Sequence, residues 1–570
     1  MKNKREGIYG KKGVVAAGHY LAASAGVKMF AKGGNAVDAG VAAGLALAVI
    51  KPHQNGFGGE CPILVYSPKD RKVTAVSGQG VAPKKAAIEW FRQNNVKAIP
   101  GDGYLGATVP GMFGAYAAAL KHFGRLTLKE VLEPAIELAE IGFPVYQALH
   151  STLSGLKDRF MKEWPTSAAV YTPEGRVPRI GELLKQPALA STLKKLVEAE
   201  EEYRSRGREA AIDHAIDRFY KGDIADKIIE FSHSFPVKDA SGESHISLLE
   251  KEDFAEYQTL LDEPVSADYK EYTVFKCGPW TQGPVFLQQL KLLEGFDLKG
   301  MGHNSADYIH TVIECAKLAF ADRDKYYGDP KFVNVPLDKL LSEEYNKEQR
   351  SKISSKANNT PPESPYWKFE DSAYVGDTTH LDAIDDEGFM ISATPSGGWI
   401  PTSPVIPEVG FPLGTRSQMF NFLPDHPNCI APGKRPRTTL TPSLAFKDGK
   451  PWMVFGTPGG DMQDQWTLQF FLNLAEFDMT MEDAVTAPTF HTTHFINSFY
   501  PHPIGEGIVY LEDGFQKEDL YKLQEKGHKL FLDRADAHGE VCGVKIDCRN
   551  GYIKGVASPK CEGNAYAMGW

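Results

Sequence analysis

Apolar and polar positions along the chain follow two periods. Near the N-terminus, "LAASAGVKMFAKGG" spaces its apolar residues as a helix and closes on Gly33-Gly34, a C-terminal stop. "NAVDAGVAAGLALAVI" follows, apolar on almost every side, and predicts a buried helix. "CPILVYS" and "KVTAVSG" read as paired strands around the turn "PKDR". Between about residues 112 and 260 the pattern is mainly helical, in "MFGAYAAALKHFG", "LKEVLEPAIELAE" and "EAAIDHAIDRFYKGDIADKIIEF". "SADYIHTVIECAKLAFADRDKYYGD" predicts one more helix at roughly 305–328.

The periodicity then fails. Residues 354–377, "SSKANNTPPESPYWKFEDSAYVGD", combine Pro, Ser, Asn and Asp and predict an exposed, mobile segment. It is longer than most connections inside a compact domain, and loops of that length tend to be functional or disordered. After it the chain turns β-rich: "THLDAID", "FMISAT", "TPSLAFKDG" and "PWMVFGTPGG". The helix "QDQWTLQFFLNLAEF" and the strand pair "GVKIDCRNGYIKGVAS" complete the C-terminal part. The division is therefore a large helix-rich segment, 1–377, and a smaller β-rich one, 378–570, which opens with Thr378 at the head of a strand. Thr is a good strand former, which is one reason for it to stand there. The other is that the chain is cut before it.

Composition adds limits. The formal charge of −10 argues against a general nucleic-acid binder. The longest apolar run, "GVAAGLALAVI", is too short to span a bilayer, and no apolar h-region follows the basic N-terminus. Seven scattered cysteines without a C-x-x-C pair fit a reducing compartment, so a cytoplasmic protein is expected.

Cutting the Asp377–Thr378 bond would place an α-amine on the residue that carries the hydroxyl. With a reference pKa of ~7.7–8, that amine is partly unprotonated at neutral pH and can take the Oγ proton directly or through one water. The cut can be autocatalytic, with Thr378 Oγ attacking the Asp377 carbonyl and water resolving the ester. Pro458-Gly459-Gly460, between a strand and a helix, lets backbone N–H groups approach a reacting carbonyl. Other motifs carry blander readings. His380 is expected to be packed or hydrogen-bonded. His491, His494 and His502 lack a Glu or Cys at ligand spacing, so no metal is expected. "NGFGGEC" has Cys61 where a dinucleotide loop needs its last Gly. Arg435 and Arg437 are open to a structural role. No cofactor is expected.

Several segments together carry a resemblance. "KGGNAVDAGVAAGLALAV", "GATVPGMFGAYAAALKHFG", "AFADRDKYYGDP", "TTHLDAIDDEGFMISAT", "GKRPRTTLTPSL" and "GTPGG" are similar to motifs of the γ-glutamyltransferase family of N-terminal-nucleophile enzymes, along essentially the whole chain. The resemblance implies an α/β (α+β) fold, a four-layer αββα sandwich. It also implies a precursor that cuts itself at Asp377/Thr378 into two fragments that stay associated as a heterodimer. It places the nucleophile at Thr378, the oxyanion donors at Gly459 and Gly460, and a supporting hydroxyl at Ser396, with Thr394 a nearby substitute.

The departures from the family pattern concentrate where a glutamyl head group binds. Gln79 stands where the best-known members carry a carboxylate-binding Arg. Asn421 replaces an ammonium-binding Asp, Gly398 replaces an Asn, and Thr438-Thr439 replace a Ser-Ser pair, while Gln418 matches. Losing the Arg exchanges a charge-assisted contact for a neutral one; Arg437, beside Thr438, is a candidate to restore a carboxylate contact. The resulting expectation is an amidohydrolase or acyltransferase acting on a small-molecule amide, with neither nucleic acid nor membrane as partner. Three readings stay open: γ-glutamyl hydrolysis or transfer; hydrolysis of a different amide, such as an oxamate-like acid amide or an acylated amine; and an uncleaved, non-enzymatic binding member of the fold.

Overall fold

The computed structural model describes residues 5–362, 378–505, 507–547 and 550–570. Asp377, Cys548 and most of the expected processing loop lie outside the described residues. Two seven-stranded sheets form the centre. The first runs, edge to edge, through Ile8–Gly10, Tyr552–Ala557, Cys542–Asp547, Lys450–Gly456, Ser443–Lys447, Tyr272–Lys276 and Val265–Tyr269. The second runs through Tyr566–Gly569, Gly13–Ala17, Leu381–Asp385, Met390–Ala393, Ile63–Ser67, Lys72–Ser77 and Leu260–Asp262. Every neighbouring pair in both is antiparallel.

The period-2 alternation of these strands sorts their side chains between two cores. Val14, Ala16, Leu64, Ile384 and Met390 of the second sheet meet Leu444, Val454, Val544 and Ile553 of the first in one cluster between the sheets. Val15, Ala17, Leu381, Ala383 and Ile391 face the other way, onto helices Tyr20–Ala31, Ala36–Ile50 and Met112–Phe123. On the far side, helices Gly283–Leu293, Ala306–Tyr326 and Gln463–Ala475 cover the outer face of the first sheet. The layers are thus α, β, β, α.

Sequence explains the central elements directly. All fifteen residues of Ala36–Ile50 are buried, which is why the segment shows no polar face. Asn35 caps it by accepting from the N–H groups of Val37 and Asp38, in a capping box with Asp38. The stretch 208–234 is two helices, Arg208–Lys221 and Asp223–Ser234, because Gly222 between them is extended. Strands from both sides of Thr378 build both sheets, so 1–377 and 378–570 are interleaved parts of one sandwich. Among the described residues, no helix is long and apolar enough to cross a membrane.

Candidate active site

Thr378 precedes the strand Leu381–Asp385 and pairs with Ser396 in an isolated antiparallel bridge. Regular strand pairing begins only at Leu381, opposite Ala393. Along this hairpin, alternate residues share one face, and that face is turned to the other sheet. Here Asp382 stands opposite Ser392. His380 Nδ1 lies 2.9 Å from Thr394 Oγ1, and Thr378 Oγ1 lies 3.1 Å from Ser396 Oγ. Three polar pairs therefore line up toward the strand start. Of the two hydroxyls that the sequence offers, Ser396 lies beside Thr378 and Thr394 beside His380. His380 Nε2 reaches Asp382 Oδ2 at 3.0 Å, and burial pushes the Asp382 carboxyl up while His380 holds it down. His380 is thus within hydrogen-bond distance of Thr394 at Nδ1, while the close Nε2–Asp382 contact is out of hydrogen-bonding alignment.

The glycine loop approaches from the facing sheet. Strand Lys450–Gly456 ends against His380: a Cβ on Gly456 would lie 2.2 Å from the His380 ring. The chain continues as Thr457-Pro458-Gly459-Gly460 into a short 3₁₀ turn and the helix Gln463–Ala475. Gly459 has φ +128° and its absent Cβ faces the Trp466 ring, so glycine is required there. The N–H groups of Gly459 and Gly460 donate to no other described residue.

Behind Ser396 lies a buried ion pair that joins positions far apart in sequence. Arg416 Nη2 donates to Ser396 Oγ and Arg416 Nε to Glu60 Oε1. Glu60 and Ser396 are also bridged through their backbones. The Arg416 guanidinium lies over the rings of Trp399 and Phe499, at 5.2 and 5.5 Å from their centroids. A Cβ added to Gly460 would in turn meet the Phe499 ring at 3.2 Å. Thr378, Ser396, Arg416, Phe499 and Gly460 are therefore linked in one neighbourhood.

Burial pushes the Glu60 carboxyl up to about 7, although Arg416 opposes the shift. Its folded value lies above the ordinary carboxylate one, so the stability it contributes is complete below about pH 4.5 and is lost as pH rises through about 7. Glu60→Gln is expected to flatten that part of the decline in melting temperature between pH 5 and 8. A wild-type-minus-variant difference that does not change with pH would contradict it.

The residues expected to bind substrate separate into groups. Gln418 Nε2 donates to the Gly101 carbonyl, and its Oε1 accepts from Tyr500 N–H, next to Phe499. Gln79 is buried with neither amide atom hydrogen-bonded among the described residues; it lines a cavity of about 200 Å³ with Ser77, Asp329 and Arg435. Thr438 is tied through its backbone to Trp280 and Gln282, and Thr439 Oγ1 is buried without a partner among the described residues. Asn421 is turned to its own loop, with Nδ2 2.7 Å from His426 Nδ1 and Oδ1 accepting from Leu423 N–H.

Arg437 is committed elsewhere. It donates to Asp324 at 3.0 Å and to Ser498 Oγ at 3.2 Å, and Ser498 donates to Asp461, the residue after Gly460. Arg323 donates to the same Asp461 carboxylate. Arg437 thus braces the glycine loop from behind, through Ser498 and Asp461. Arg435 likewise ties Ser77, Asp262 and Asp329 together.

His491 stacks on Tyr510 and His502 Nδ1 contacts the Asn497 carbonyl, as loop packing requires. Among the described residues, His310, Glu314 and His528 bring ligand atoms within 4.8 Å of one another. There His310 is bonded to His528 and the Ser354 carbonyl, and Glu314 to Lys317.

Glu60 and Arg416 were not singled out by sequence reasoning. Glu60 lies in the glycine-rich "NGFGGEC" and Arg416 is two residues before Gln418. The only signal in either is an isolated charge inside an otherwise buried segment.

A facing pair of antiparallel sheets, helices outside them and a hydroxyl at a strand start opposite a glycine loop define an N-terminal-nucleophile hydrolase. The chain belongs to the gamma-glutamyltranspeptidase family, whose profile matches residues 22–568. It is 33% identical to a glutathione hydrolase proenzyme of Bacillus subtilis (strain 168), over 98% of this chain and 92% of that one. Among solved structures, LmbA2991HD superposes with a TM-score of 0.94 at 39% identity, covering 100% of both chains. The cephalosporin acylase from Bacillus halodurans does so with 0.86 at 30% identity, covering 100% of this chain and 98% of that one. The family consists of autoprocessing hydrolases, transferases and acylases, and this chain is an enzyme of that kind.

Proposed function

We propose that Thr378 is both the processing residue and the nucleophile of an amide-cleaving enzyme, with a γ-glutamyl or similar small acyl amide as substrate. The observation that carries this reading is the Thr378–Ser396 hydroxyl pair, buried at the mouth of the sandwich. Ser396 Oγ accepts from Arg416 and lies 3.1 Å from Thr378 Oγ1, within hydrogen-bond distance of the hydroxyl that reacts.

In processing, Thr378 Oγ attacks the Asp377 carbonyl, the amide nitrogen leaves as the new α-amine, and water hydrolyses the ester. In turnover that amine takes the Oγ proton while Oγ bonds to the substrate carbonyl carbon. The N–H groups of Gly459 and Gly460 hold the oxyanion. The amine then protonates the leaving nitrogen as the C–N bond breaks. Water, or an acceptor amine, gives a proton to the same amine as it bonds to the acyl carbon, and the amine returns that proton to Thr378 Oγ as the ester bond breaks.

Glutathione is one substrate within this reading, supported by the glutathione hydrolase relatives. The acylase relatives support the wider class, and the replacement of both charged head-group residues, by Gln79 and Asn421, favours it. A cytoplasmic setting remains part of the proposal, supported by the scattered cysteines. The test is release of p-nitroaniline from γ-glutamyl-p-nitroanilide and from anilides of simple acids. Turnover of one or more of them by processed protein is expected. No turnover of any, with the chain uncleaved, would favour a binding protein.

A further inference from the structure

The Arg416 guanidinium is 2% exposed, yet its hydrogen bonds are incomplete. Nε is used by Glu60 and Nη2 by Ser396. Nη1, with two N–H donors, has no partner among the described residues. Leaving a buried charged donor unpaired is costly. The plane of the group is not adjustable either, because Trp399 and Phe499 lie against it and Glu60 holds its other edge. Such an arrangement stores binding capacity for an acceptor that arrives with the substrate.

Its place in the site identifies the acceptor. Nη1 is separated from the Thr378 hydroxyl only by the width of the guanidinium and two hydrogen bonds, a span of roughly 8 Å at most. A group on Nη1 would thus belong to the same small molecule whose carbonyl meets Thr378. Planar guanidinium donors match a carboxylate better than any neutral acceptor. Glu60 occupies only the Nε edge of the guanidinium, which leaves the Nη1 edge without an anion. Glu60 is the one acidic side chain within ion-pair distance of Arg416 among the described residues.

We propose that Arg416 Nη1 binds a carboxylate carried on the acyl half of the substrate, so that the enzyme selects amides of short dicarboxylic acids without requiring an α-ammonium. This rests on the reading of Thr378 as nucleophile. It assigns the anion contact to Arg416, on the Ser396 side of the site, in place of Gln79 or Arg437.

The experiment compares kcat/KM of the processed enzyme for glutaryl-p-nitroanilide and pentanoyl-p-nitroanilide, which differ in the terminal carboxylate. Wild type is expected to prefer glutaryl by about tenfold or more. Arg416→Gln is expected to bring the ratio close to one, and Arg416→Lys to leave part of it. Both variants lose absolute rate because Arg416 also holds Ser396, so the ratio is the readout. A second measurement needs no variant: glutaramate should inhibit wild type at least about tenfold more tightly than neutral glutaramide. Equal turnover of the two anilides, or equal inhibition by the two amides, overturns the carboxylate site and leaves amide hydrolysis standing. An uncleaved chain that turns over neither anilide overturns the proposed function, and this inference with it.

Discussion

Thr378→Ala is expected to leave the chain uncut and to lower amide turnover by at least about 10⁴-fold, the scale on which removal of a catalytic nucleophile acts. The side chain lost is small and the site is preformed, so the melting temperature should change little. Thr378→Ser separates chemistry from packing, since it keeps Oγ and removes only a methyl group. It should still be processed and should retain measurable turnover. If Thr378→Ala were cleaved at the same bond as wild type, Thr378 would be a strand residue and its partnership with Ser396 a packing detail.

Gly459→Ala is the second large effect expected. At φ +128° an alanine is strained, and its Cβ would sit 2.2 Å from Trp466. The loop must move, and its N–H groups move with it. Loss of one oxyanion donor lowers kcat by roughly 10²–10³-fold, and a fall of that size is predicted with KM much less affected. Gly460→Ala is the built-in contrast: its φ of +56° is also strained for alanine but lies in the small left-handed region that non-glycine residues enter, and an added Cβ would sit 3.2 Å from a Phe499 ring atom, not 2.2 Å from a ring. It should be clearly milder. Steady-state kinetics on both variants, with circular dichroism to verify the fold, would show this; an unchanged kcat in Gly459→Ala would remove the loop from the mechanism.

Local features of this protein were legible because local physics produces them. The buried helix Ala36–Ile50 shows as an unbroken apolar run, and the hairpin Ile63–Ser67 with Lys72–Ser77 shows as two alternating runs around a turn. The polar ladder 378, 380, 382 against 396, 394, 392 follows from period two once Thr378 and Ser396 are set opposite each other. Which strands neighbour which does not follow, since Leu381–Asp385 lies beside Gly13–Ala17, from the other end of the chain. The same distance hid Glu60 and Arg416, which pair across 356 residues. Arg437 shows the same limit: its neighbours in "RPRTTL" suggest a substrate contact, and only the folded chain shows its bonds to Asp324 and Ser498.

The central claim is that the chain becomes an enzyme by cutting itself before Thr378. It is tested most directly by the intact mass of the purified wild-type protein. Two polypeptides that copurify and correspond to residues 1–377 and 378–570, the second beginning with Thr378, are expected. A single 62.8 kDa chain that persists after prolonged incubation would contradict it.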